Sequence, residues 1–353
     1  MPKKTIVFTG GGSAGHVTPN IAIINEIRED WEIFYIGSKK GIEKELIQKI
    51  NIPYFGINSG KLRRYIDFEN VVDIFRVIRG CIEARSLLRK LKPKLVFSKG
   101  GFVSVPVILA AKSLKIPVFI HESDITPGLA NKISQRFATK IFSSFEETKK
   151  FFPENKTTVV GSPIRKEILN GSAANGKKLL GYDDNSPILT IMGGSLGAKK
   201  INEAVRNSLQ QLTAKYQVVH LCGKNNLDNK LVKIPRYKQY EYVHDELADI
   251  LNATDIVITR GGSNAIFEFV ALKIPMLIIP LGLDQSRGDQ ILNAKAFKQK
   301  GYSLTLEEEN LNNETLVEYI EKVFKNSETF RRNLKKTPSG EALKILVKEI
   351  NNI

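Results

Sequence analysis

Short apolar runs alternate with stretches of helical periodicity along the whole chain. In the first half, three of these runs are TIVFTG (5–10), WEIFYIG (31–37) and KLVFSKGG (94–101). The second half repeats the pattern, beginning with SPILTIMGGSLGAKKIN (186–202). Buried strands that alternate with helices are typical of parallel sheets in α/β proteins. The pattern therefore predicts an α/β fold in two halves, with a hinge at GSPIR (161–165), where Gly and Pro punctuate the chain.

The stretch 259–294 combines a glycine turn, a helix, a buried strand, a polar loop and a second helix. Its polar side chains fall at the start of the first helix, within it, and on one face of the second; they are Ser263, Glu268, Asp289, Gln290 and Asn293. A helix N-terminus favours anions because its backbone N–H groups lack partners. The stretch thus suits a nucleotide that carries a sugar, with the diphosphate at the helix start, the ribose on Glu268 and the sugar on the polar row.

The first glycine turn raises a different possibility. Gly10, Gly12 and Gly15 match the G-x-G-x-x-G pattern of dinucleotide sites. The next strand ends in GSKK (37–40) rather than in an acid, which argues against NAD and leaves a 2′-phosphate open. His16 directly follows the turn, and the ordinary histidine pKa of about 6.5 suits a general base. The alternative is a capping or core histidine.

Two further glycine turns follow predicted strands, at 99–101 and 193–197. The spacing of the second allows backbone N–H groups to receive a phosphate, and a plain tight turn is the alternative. Three glycine turns divided between two halves fit two ligands that meet in a cleft between domains better than they fit one dinucleotide.

Histidines and cysteines show no metal-ligand spacing. The polar cluster HESD (121–124) ends a strand, where its histidine either contacts a ligand or orients a loop. His220 and His244 are predicted to be structural. Cys81 and Cys222 suit a reduced compartment and form no disulfide framework. We therefore expect no cofactor and no metal ion bound by protein side chains.

A basic amphipathic segment runs from about residue 66 to residue 90. Its apolar residues fall close to helical spacing, with arginines between them. Residues 61–95 contain ten Lys or Arg and four Asp or Glu, a net charge of +6. The segment is either a helix packed on the sheet with a solvated basic edge, or a surface that touches anionic lipid. The two interpretations can coexist.

Composition limits the class of protein. The chain has 353 residues, of which 42% are hydrophobic and 25% charged, which suits two globular domains. A formal net charge of +16 indicates an anionic partner, whether nucleic acid, acidic lipid or a phosphorylated substrate. No signal peptide is predicted, and no window reaches the ~20 apolar residues of a membrane span. A membrane would therefore be met at its surface, from the cytosol.

Seven motifs occur in the order and spacing of one known family: GGSAGHVTPN, SKGGFVSVP, HESDITPGLANK, GSPIR, MGGSLGAKKIN, TRGGSNAIFE and DQILNA. Over nearly its whole length the chain resembles the MurG family of peptidoglycan glycosyltransferases. The resemblance implies the glycosyltransferase-B fold, in which two Rossmann-like domains face a cleft. Residues 1–164 would form the acceptor- and membrane-facing domain, on which a C-terminal helix at about 340–353 packs back. Residues 165–339 would bind the UDP-sugar donor.

The resemblance also implies a reaction. N-acetylglucosamine would pass, with inversion, from UDP-N-acetylglucosamine to the muramic acid 4-hydroxyl of lipid I, which is linked to undecaprenyl diphosphate, giving lipid II for peptidoglycan synthesis. The expected partners are UDP-N-acetylglucosamine, lipid I and the anionic inner membrane surface, with no nucleic acid. The protein would be peripheral, on the cytoplasmic side of the cell membrane. Other cell-wall synthesis proteins are further candidate partners.

Matching positions carry over the family's site residues. His16 matches the first-loop histidine, a candidate base or acceptor-binding residue. The residues expected at the donor are Ser13, Ala14, Gly15, Asp124, Arg165, Ser195, Val243, Ser263, Glu268, Asp289 and Gln290. Those expected at the acceptor or cleft are Gly12, Gly100, Gly101, Phe102, His121 and Glu122. Those expected at the membrane are Phe68, Phe75, Arg76, Ile78 and Arg79.

Three rival functions stay open at this stage. An enzyme that glycosylates diacylglycerol would share the donor half, although HESDITPGLANK favours the peptidoglycan acceptor. A UDP-sugar epimerase of similar fold would have no use for a lipid surface at 61–95. A non-enzymatic lipid- or nucleic-acid-binding protein would explain the charge but not three glycine turns, and the chain lacks the aromatic–basic interleaving of single-strand binders.

Overall fold

The structure, a computed structural model, describes residues 3–60, 68–182, 185–194, 197–337 and 340–353. The chain divides into two compact units. Unit 1 is Met1–Arg165 together with Gly340–Ile353, and unit 2 is Lys166–Ser339. In the described residues each unit contains a parallel sheet with helices between its strands, which confirms the predicted α/β class.

The strands of unit 1 are β1 (Lys4–Thr9), β2 (Trp31–Ser38), β3 (Tyr54–Ile57), β4 (Leu95–Ser98), β5 (Val118–Glu122), β6 (Lys140–Ser143) and β7 (Thr157–Val159). Its first five helices are α1 (Thr18–Ile27), α2 (Ile42–Lys49), α3 (Phe68–Leu91), α4 (Ser104–Ser113) and α5 (Leu129–Ser134). All strands are parallel, in the order β3-β2-β1-β4-β5-β6-β7. Helix α1 packs on one face of the sheet, and α3 and α4 pack on the other. This two-sided cover explains why the central strands are continuous apolar runs.

The strands of unit 2 are β8 (Ile188–Met192), β9 (Gln217–Leu221), β10 (Tyr237–Tyr240), β11 (Ile256–Thr259), β12 (Met276–Ile278) and β13 (Ser303–Thr305). Its described helices are α6 (Lys166–Leu169), α7 (Ala173–Leu180), α8 (Lys199–Asn207), α9 (Leu209–Lys215), α10 (Leu247–Ala253), α11 (Ser263–Leu272), α12 (Asp289–Gln299), α13 (Asn313–Lys325) and α14 (Ser327–Lys335). The parallel sheet has the order β10-β9-β8-β11-β12-β13.

The pattern misplaces one strand and misses another. The run YEYVHDELADIL (240–251) predicts a strand followed by a helix, but β10 ends at Tyr240, because the pairing of Tyr237–Tyr240 with Val218–Leu221 fixes this edge strand. Strand β13 was not expected. It forms the other edge of the sheet, where its three residues pair only with β12. The remaining strands lie where the apolar runs predict them.

The last helix, α15 (Glu341–Asn351), belongs to unit 1. Its buried face contributes Leu343, Leu346 and Ile350 to the core that also contains α1 and the first two strands. The indole N–H of Trp31 donates to the side-chain oxygen of Asn351 at 2.8 Å. The chain therefore enters unit 2 at Lys166 and returns to unit 1 at Gly340.

Candidate active site

Two glycine turns meet at the carboxyl edge of the sheet in unit 1, the edge at which its parallel strands end. One turn follows β1 and the other follows β4, and these strands are neighbours. The strand order runs from β1 to β2 and β3 on one side, and from β4 to β7 on the other. The two turns therefore lie at the point where the strand order reverses, which is called a topological switch point. Ligands of open α/β sheets bind at such points. The structure thus brings together most of the residues predicted for the acceptor.

The backbones of the two turns are in direct contact. The N–H of Gly11 donates to the carbonyl of Gly100 at 3.3 Å. Gly101 has φ +86°, and a Cβ on it would overlap the carbonyl oxygen of Gly11. Only glycine satisfies both conditions without strain. A Cβ on Gly12, in contrast, would meet no atom of the described residues within 4 Å, so this part of the turn faces open space.

His16 ends a single 3₁₀ turn, Ala14–His16, and is half-buried. Its Nδ1 lies 2.9 Å from the carbonyl oxygen of Gly11 and 3.2 Å from Oγ of Ser13. A carbonyl can only accept a hydrogen bond, so Nδ1 carries the proton and Nε2 carries the lone pair in the neutral ring. The arrangement presents the tautomer that a base acting through Nε2 requires.

His121, at the end of β5, is fully buried and bound at both ring nitrogens. Nε2 donates to the carbonyl of Gly161 at 2.9 Å, so Nδ1 accepts from the Lys99 ammonium group, 2.5 Å away. Lys99 also donates to the hydroxyl of Ser123. Burial, together with the nearby charge of Lys99, holds the pKa of His121 well below its usual range. These contacts connect the end of β5 to the turn after β4 and to the backbone at Gly161, and the role of His121 at the acceptor stays a prediction.

Glu122 organises the loop that follows β5. Its carboxylate accepts from the backbone N–H groups of Asp124 and Gly128, each at 3.0 Å, and from the side chain of Asn131 at 2.9 Å. Burial and the neighbouring Asp124 raise the pKa of Glu122. Burial also lowers the pKa of Lys99 to about 7, against the opposing effect of the Glu122 and Asp124 charges. Asp124 itself is half-buried.

Unit 2 repeats the paired turns after its neighbouring strands β8 and β11. In the first turn, a Cβ on Gly194 would meet no atom of the described residues within 4 Å, whereas a Cβ on Gly197 would overlap the carbonyl of Cys222. Ser195, predicted to contact the donor, lies outside the described residues. His220 is buried between Asn202 and Tyr237, with 2.9 Å to each, and burial lowers its pKa to about 3. It is structural, as predicted.

The second turn of unit 2 leads into α11. Gly262 is the N-cap and Ser263 the first, buried residue of this helix. Two side chains of α12 bind Gly261: Gln290 Oε1 accepts from its N–H at 3.1 Å, and Asn293 donates to its carbonyl at 3.0 Å. Gln290 Oε1 also accepts from the N–H of Leu281 at 3.0 Å. Gln290, which is predicted to face the donor sugar, therefore uses its side-chain oxygen to join the turn at Gly261 to the loop at Leu281.

The other predicted donor residues are distributed over both units. Glu268 lies half-buried within α11. Asp289 begins α12 and forms a 2.6 Å ion pair with Arg287. Val243 is half-buried in the loop between β10 and α10, and Arg165 is the last residue of the first segment of unit 1. Their roles stay predictions.

Three charged groups near these turns were not predicted. Lys99 and Glu43 are buried in unit 1, and Arg260, next to the second turn of unit 2, forms an ion pair with the buried Glu308. Sequence patterns place such residues at the surface, so only their position beside a glycine turn could have suggested them. Among the described residues, no group of three or more His, Cys, Asp or Glu could hold a metal ion.

Helix α3 exposes an apolar face. Asp73, Gly80, Ala84 and Leu88 form its buried stripe. The exposed fractions of the apolar residues on its outer face are 53% for Ile74, 67% for Phe75, 51% for Ile78 and 66% for Ile82. Apolar periodicity alone would also fit packing of Phe75, Ile78 and Ile82 on the sheet, but these residues do not pack there.

The arginines of α3 lie beside this face. Arg76 and Arg79 are exposed and pair with Asp73 at 2.9 Å and Glu83 at 3.4 Å. Phe68 begins the helix, but its side chain is outside the described residues. Within the described ranges, no helix is both long and apolar enough to cross a membrane.

The buried Lys99 generates a testable pH dependence. Because its pKa falls from 10.5 in the unfolded chain to about 7 on folding, stability is full above pH 10.5 and declines as pH falls to about 7. Lys99→Met removes this dependence. Between pH 7 and 9, the wild type should gain about 2 kcal/mol of unfolding free energy relative to Lys99→Met, as measured by urea denaturation. Replacing the exposed Lys112 of α4 with Met is the control, and parallel curves for wild type and Lys99→Met would contradict the assignment.

Two family models match the two halves of the chain. The glycosyltransferase family 28 N-terminal domain matches residues 6–143, and the C-terminal domain of the same family matches residues 188–350. The second match extends into α15, which packs in unit 1.

The solved structures support the fold alone, because their sequences are distant. The MurG structure from Acinetobacter baumannii aligns over 100% of both chains with a TM-score of 0.78 and 22% identity. A UDP-N-acetylglucosamine 2-epimerase from Neisseria meningitidis, bound to UDP-N-acetylglucosamine, also aligns over 100% of both chains, with a TM-score of 0.70 and 14% identity. The glycosyltransferase-B class predicted from the motifs is confirmed.

Curated relatives are much closer in sequence. The UDP-N-acetylglucosamine--N-acetylmuramyl-(pentapeptide) pyrophosphoryl-undecaprenol N-acetylglucosamine transferase 2 of Bacillus cereus is 55% identical over 349 residues, 99% of each chain. The enzyme of the same name, without the number, from Shouchella clausii is 56% identical over 348 residues, 98% of each chain. The chain therefore belongs to glycosyltransferase family 28 and, within it, to the MurG family that its motifs resemble.

Proposed function

We propose that this chain transfers N-acetylglucosamine, with inversion, from UDP-N-acetylglucosamine to the muramic acid 4-hydroxyl of lipid I, forming lipid II. The observation that carries the proposal is 55% identity across 99% of both chains to a relative whose name specifies this sugar nucleotide and this lipid-linked acceptor. Resemblance to epimerase structures concerns the fold alone and does not favour an epimerase.

In this proposal, His16 is the general base. The acceptor hydroxyl oxygen attacks the anomeric carbon, the bond from that carbon to the diphosphate oxygen breaks, and UDP leaves. Nε2 of His16 takes the hydroxyl proton. The Nδ1–H donated to Gly11 supports this role, because it leaves the lone pair on Nε2. Gly12, which faces open space beside His16, leaves room for the acceptor.

The donor is assigned mainly to unit 2. The N-terminus of α11 at Ser263 and the turn containing Ser195 would stabilise negative charge on the departing diphosphate, and Arg165, the residue that precedes unit 2, would add its guanidinium. Glu268 would bind the ribose hydroxyls, Val243 the uracil through its backbone, and Asp289 the sugar. The two bonds to Gly261 support this assignment, since they fix the turn that starts α11. We assign no metal ion to protein side chains, because the sequence has no Asp-x-Asp pattern after a strand.

The outer face of α3 is assigned to the anionic cytoplasmic face of the cell membrane, where the protein would be peripheral. Three observations support it: large exposed apolar side chains, arginines beside them, and a net charge of +16. Apolar side chains that enter the lipid boundary and arginines that attract anionic headgroups act together at such surfaces.

The acceptor assignment is tested by UDP release. With UDP-N-acetylglucosamine and a lipid I analogue, the protein should release UDP continuously, whereas diacylglycerol or no acceptor should give only background. A coupled UDP assay measures this. Release with diacylglycerol in place of lipid I would keep the donor assignment and reject the acceptor.

The role of His16 is tested by two substitutions. His16→Ala should lower kcat by about 10²-fold or more, because the hydroxyl proton loses its acceptor. His16→Asn retains an N–H that can donate to Gly11 but provides no base, so it should be equally inactive while preserving the turn. Near-normal kcat with a raised acceptor KM in either variant would contradict the role of base.

Membrane attachment is tested with liposomes that contain anionic lipid. The double variant Phe75→Ser/Ile78→Ser should bind at least about tenfold more weakly, since burial of each side chain contributes about 1.5–3 kcal/mol. Val232→Ser, at a residue of unit 2 that is 63% exposed, is the matched control. Raised salt should also weaken wild-type binding. If neither the double substitution nor raised salt changed liposome binding, α3 would not be the docking surface.

A further inference from the structure

Glu43 is a carboxylate buried against the first glycine turn. It is the second residue of α2 and is 0% exposed. A Cβ on Gly11 would lie 2.5 Å from its Oε1, and a Cβ on Gly41 would overlap the carboxylate. Glycine at both positions therefore makes room for this group. Because dehydration of a carboxylate costs several kcal/mol, such burial requires compensating contacts.

Those contacts are neutral N–H and O–H donors. Oε1 accepts from the backbone N–H of Ser38 at 3.1 Å and from its hydroxyl, and Oε2 accepts from the backbone N–H of Gly12 at 3.2 Å. The N-terminus of α2 adds the positive end of the helix dipole. The carboxylate thus uses the Gly12 N–H, a group that would receive a phosphate in a dinucleotide-binding turn. This contact also explains why the G-x-G-x-x-G spacing does not indicate a dinucleotide here.

Glu43 and His16 bind opposite sides of one peptide group. The N–H of Gly12 and the carbonyl of Gly11 belong to the same planar amide, so fixing one fixes the other. Glu43 accepts from this N–H, while the carbonyl accepts from Nδ1–H of His16 at 2.9 Å. Consecutive hydrogen bonds polarise one another, so a carboxylate at one end strengthens the acceptor at the other. The arrangement places a carboxylate behind the imidazole, with a peptide group between them.

We propose that Glu43 is a positioning residue for His16, acting through the Gly11–Gly12 peptide group. It holds that amide in the orientation that fixes the Nδ1–H tautomer of His16, and it directs the Nε2 lone pair to the acceptor hydroxyl. The kinetic consequence rests on the proposed function, in which His16 is the base. The structural consequence, the tautomer of His16, does not.

Glu43→Gln tests the kinetic consequence in the full-length protein. A glutamine has one oxygen and a donor NH₂ group, so it cannot accept from both Gly12 and Ser38. Turnover with lipid I should fall about tenfold to a hundredfold, with KM for UDP-N-acetylglucosamine within about twofold. The acidic limb of the pH profile of kcat/KM should move to lower pH, because the Glu43 carboxylate no longer stabilises the protonated imidazole of His16. Glu45→Gln, the same change at an exposed residue of α2, should match the wild type.

The tautomer is read separately by ¹⁵N NMR of the histidine rings, without substrate. His16 should be mainly Nδ1–H in the wild type and in Glu45→Gln, and a mixture in Glu43→Gln, with the resonance assigned by its loss in His16→Asn. Should Glu43→Gln not fold, Ser38→Ala removes the hydroxyl donor to Glu43 and should shift the tautomer in the same direction. An unchanged tautomer and an unchanged kcat would overturn the proposal. If the wild type released no UDP with lipid I, the proposed function would fail, and the NMR comparison would still decide the role of Glu43.

Discussion

The contact between two backbones at Gly11 and Gly101 controls the geometry of the candidate site in unit 1. Since no side chain fits between the turns, the peptide groups that follow β1 and β4 approach within hydrogen-bonding distance. His16 donates a hydrogen bond to the carbonyl of Gly11, so the contact between the two backbones also fixes the position of its imidazole ring. In unit 2 a comparable contact joins the turn after β8 to the end of β9, where a Cβ on Gly197 would overlap the carbonyl of Cys222.

Buried asparagines hold the ends of the strands in both units. Each of them donates to a backbone carbonyl at or just after a strand end; the pairs are Asn20 with Thr9, Asn131 with His121, Asn202 with Cys222 and Asn293 with Gly261. A buried carbonyl without a partner costs about 1–3 kcal/mol, and the Thr9 carbonyl has a second donor besides Asn20, the backbone N–H of Lys99 at 3.0 Å. An amide side chain on a nearby helix removes this cost and fixes the turn without adding charge beside an anionic substrate.

Sequence predicts the architecture well because burial on two sides leaves continuous apolar runs, such as 5–10 and 276–280, that few other structures explain. It also predicts that the turns share an edge, since parallel strands end together. It misses β13, a three-residue edge strand, because the pairing with β12 that defines this strand cannot be read from its own residues. It also misses Lys99 and Glu43, because hydropathy places charges in solvent, and only the folded packing shows which neutral groups replace water as their hydrogen-bond partners. The roles predicted for the donor residues depend on contacts with a bound ligand, which hydrophobic periodicity does not encode.

The return of α15 to unit 1 affects how the chain can fold during synthesis. Unit 2 is one continuous segment, so it can fold as soon as α13 and α14, which complete its core, have left the ribosome. Unit 1, although it is made first, lacks Leu343, Leu346 and Ile350 until α15 emerges. Domains of nascent chains generally fold in order from the N-terminus, and here that order is interrupted. The nascent first half must therefore keep an apolar sheet face partly uncovered while some 175 further residues are made, at about 5–20 residues per second, which makes this the stage at which a holding chaperone would matter most.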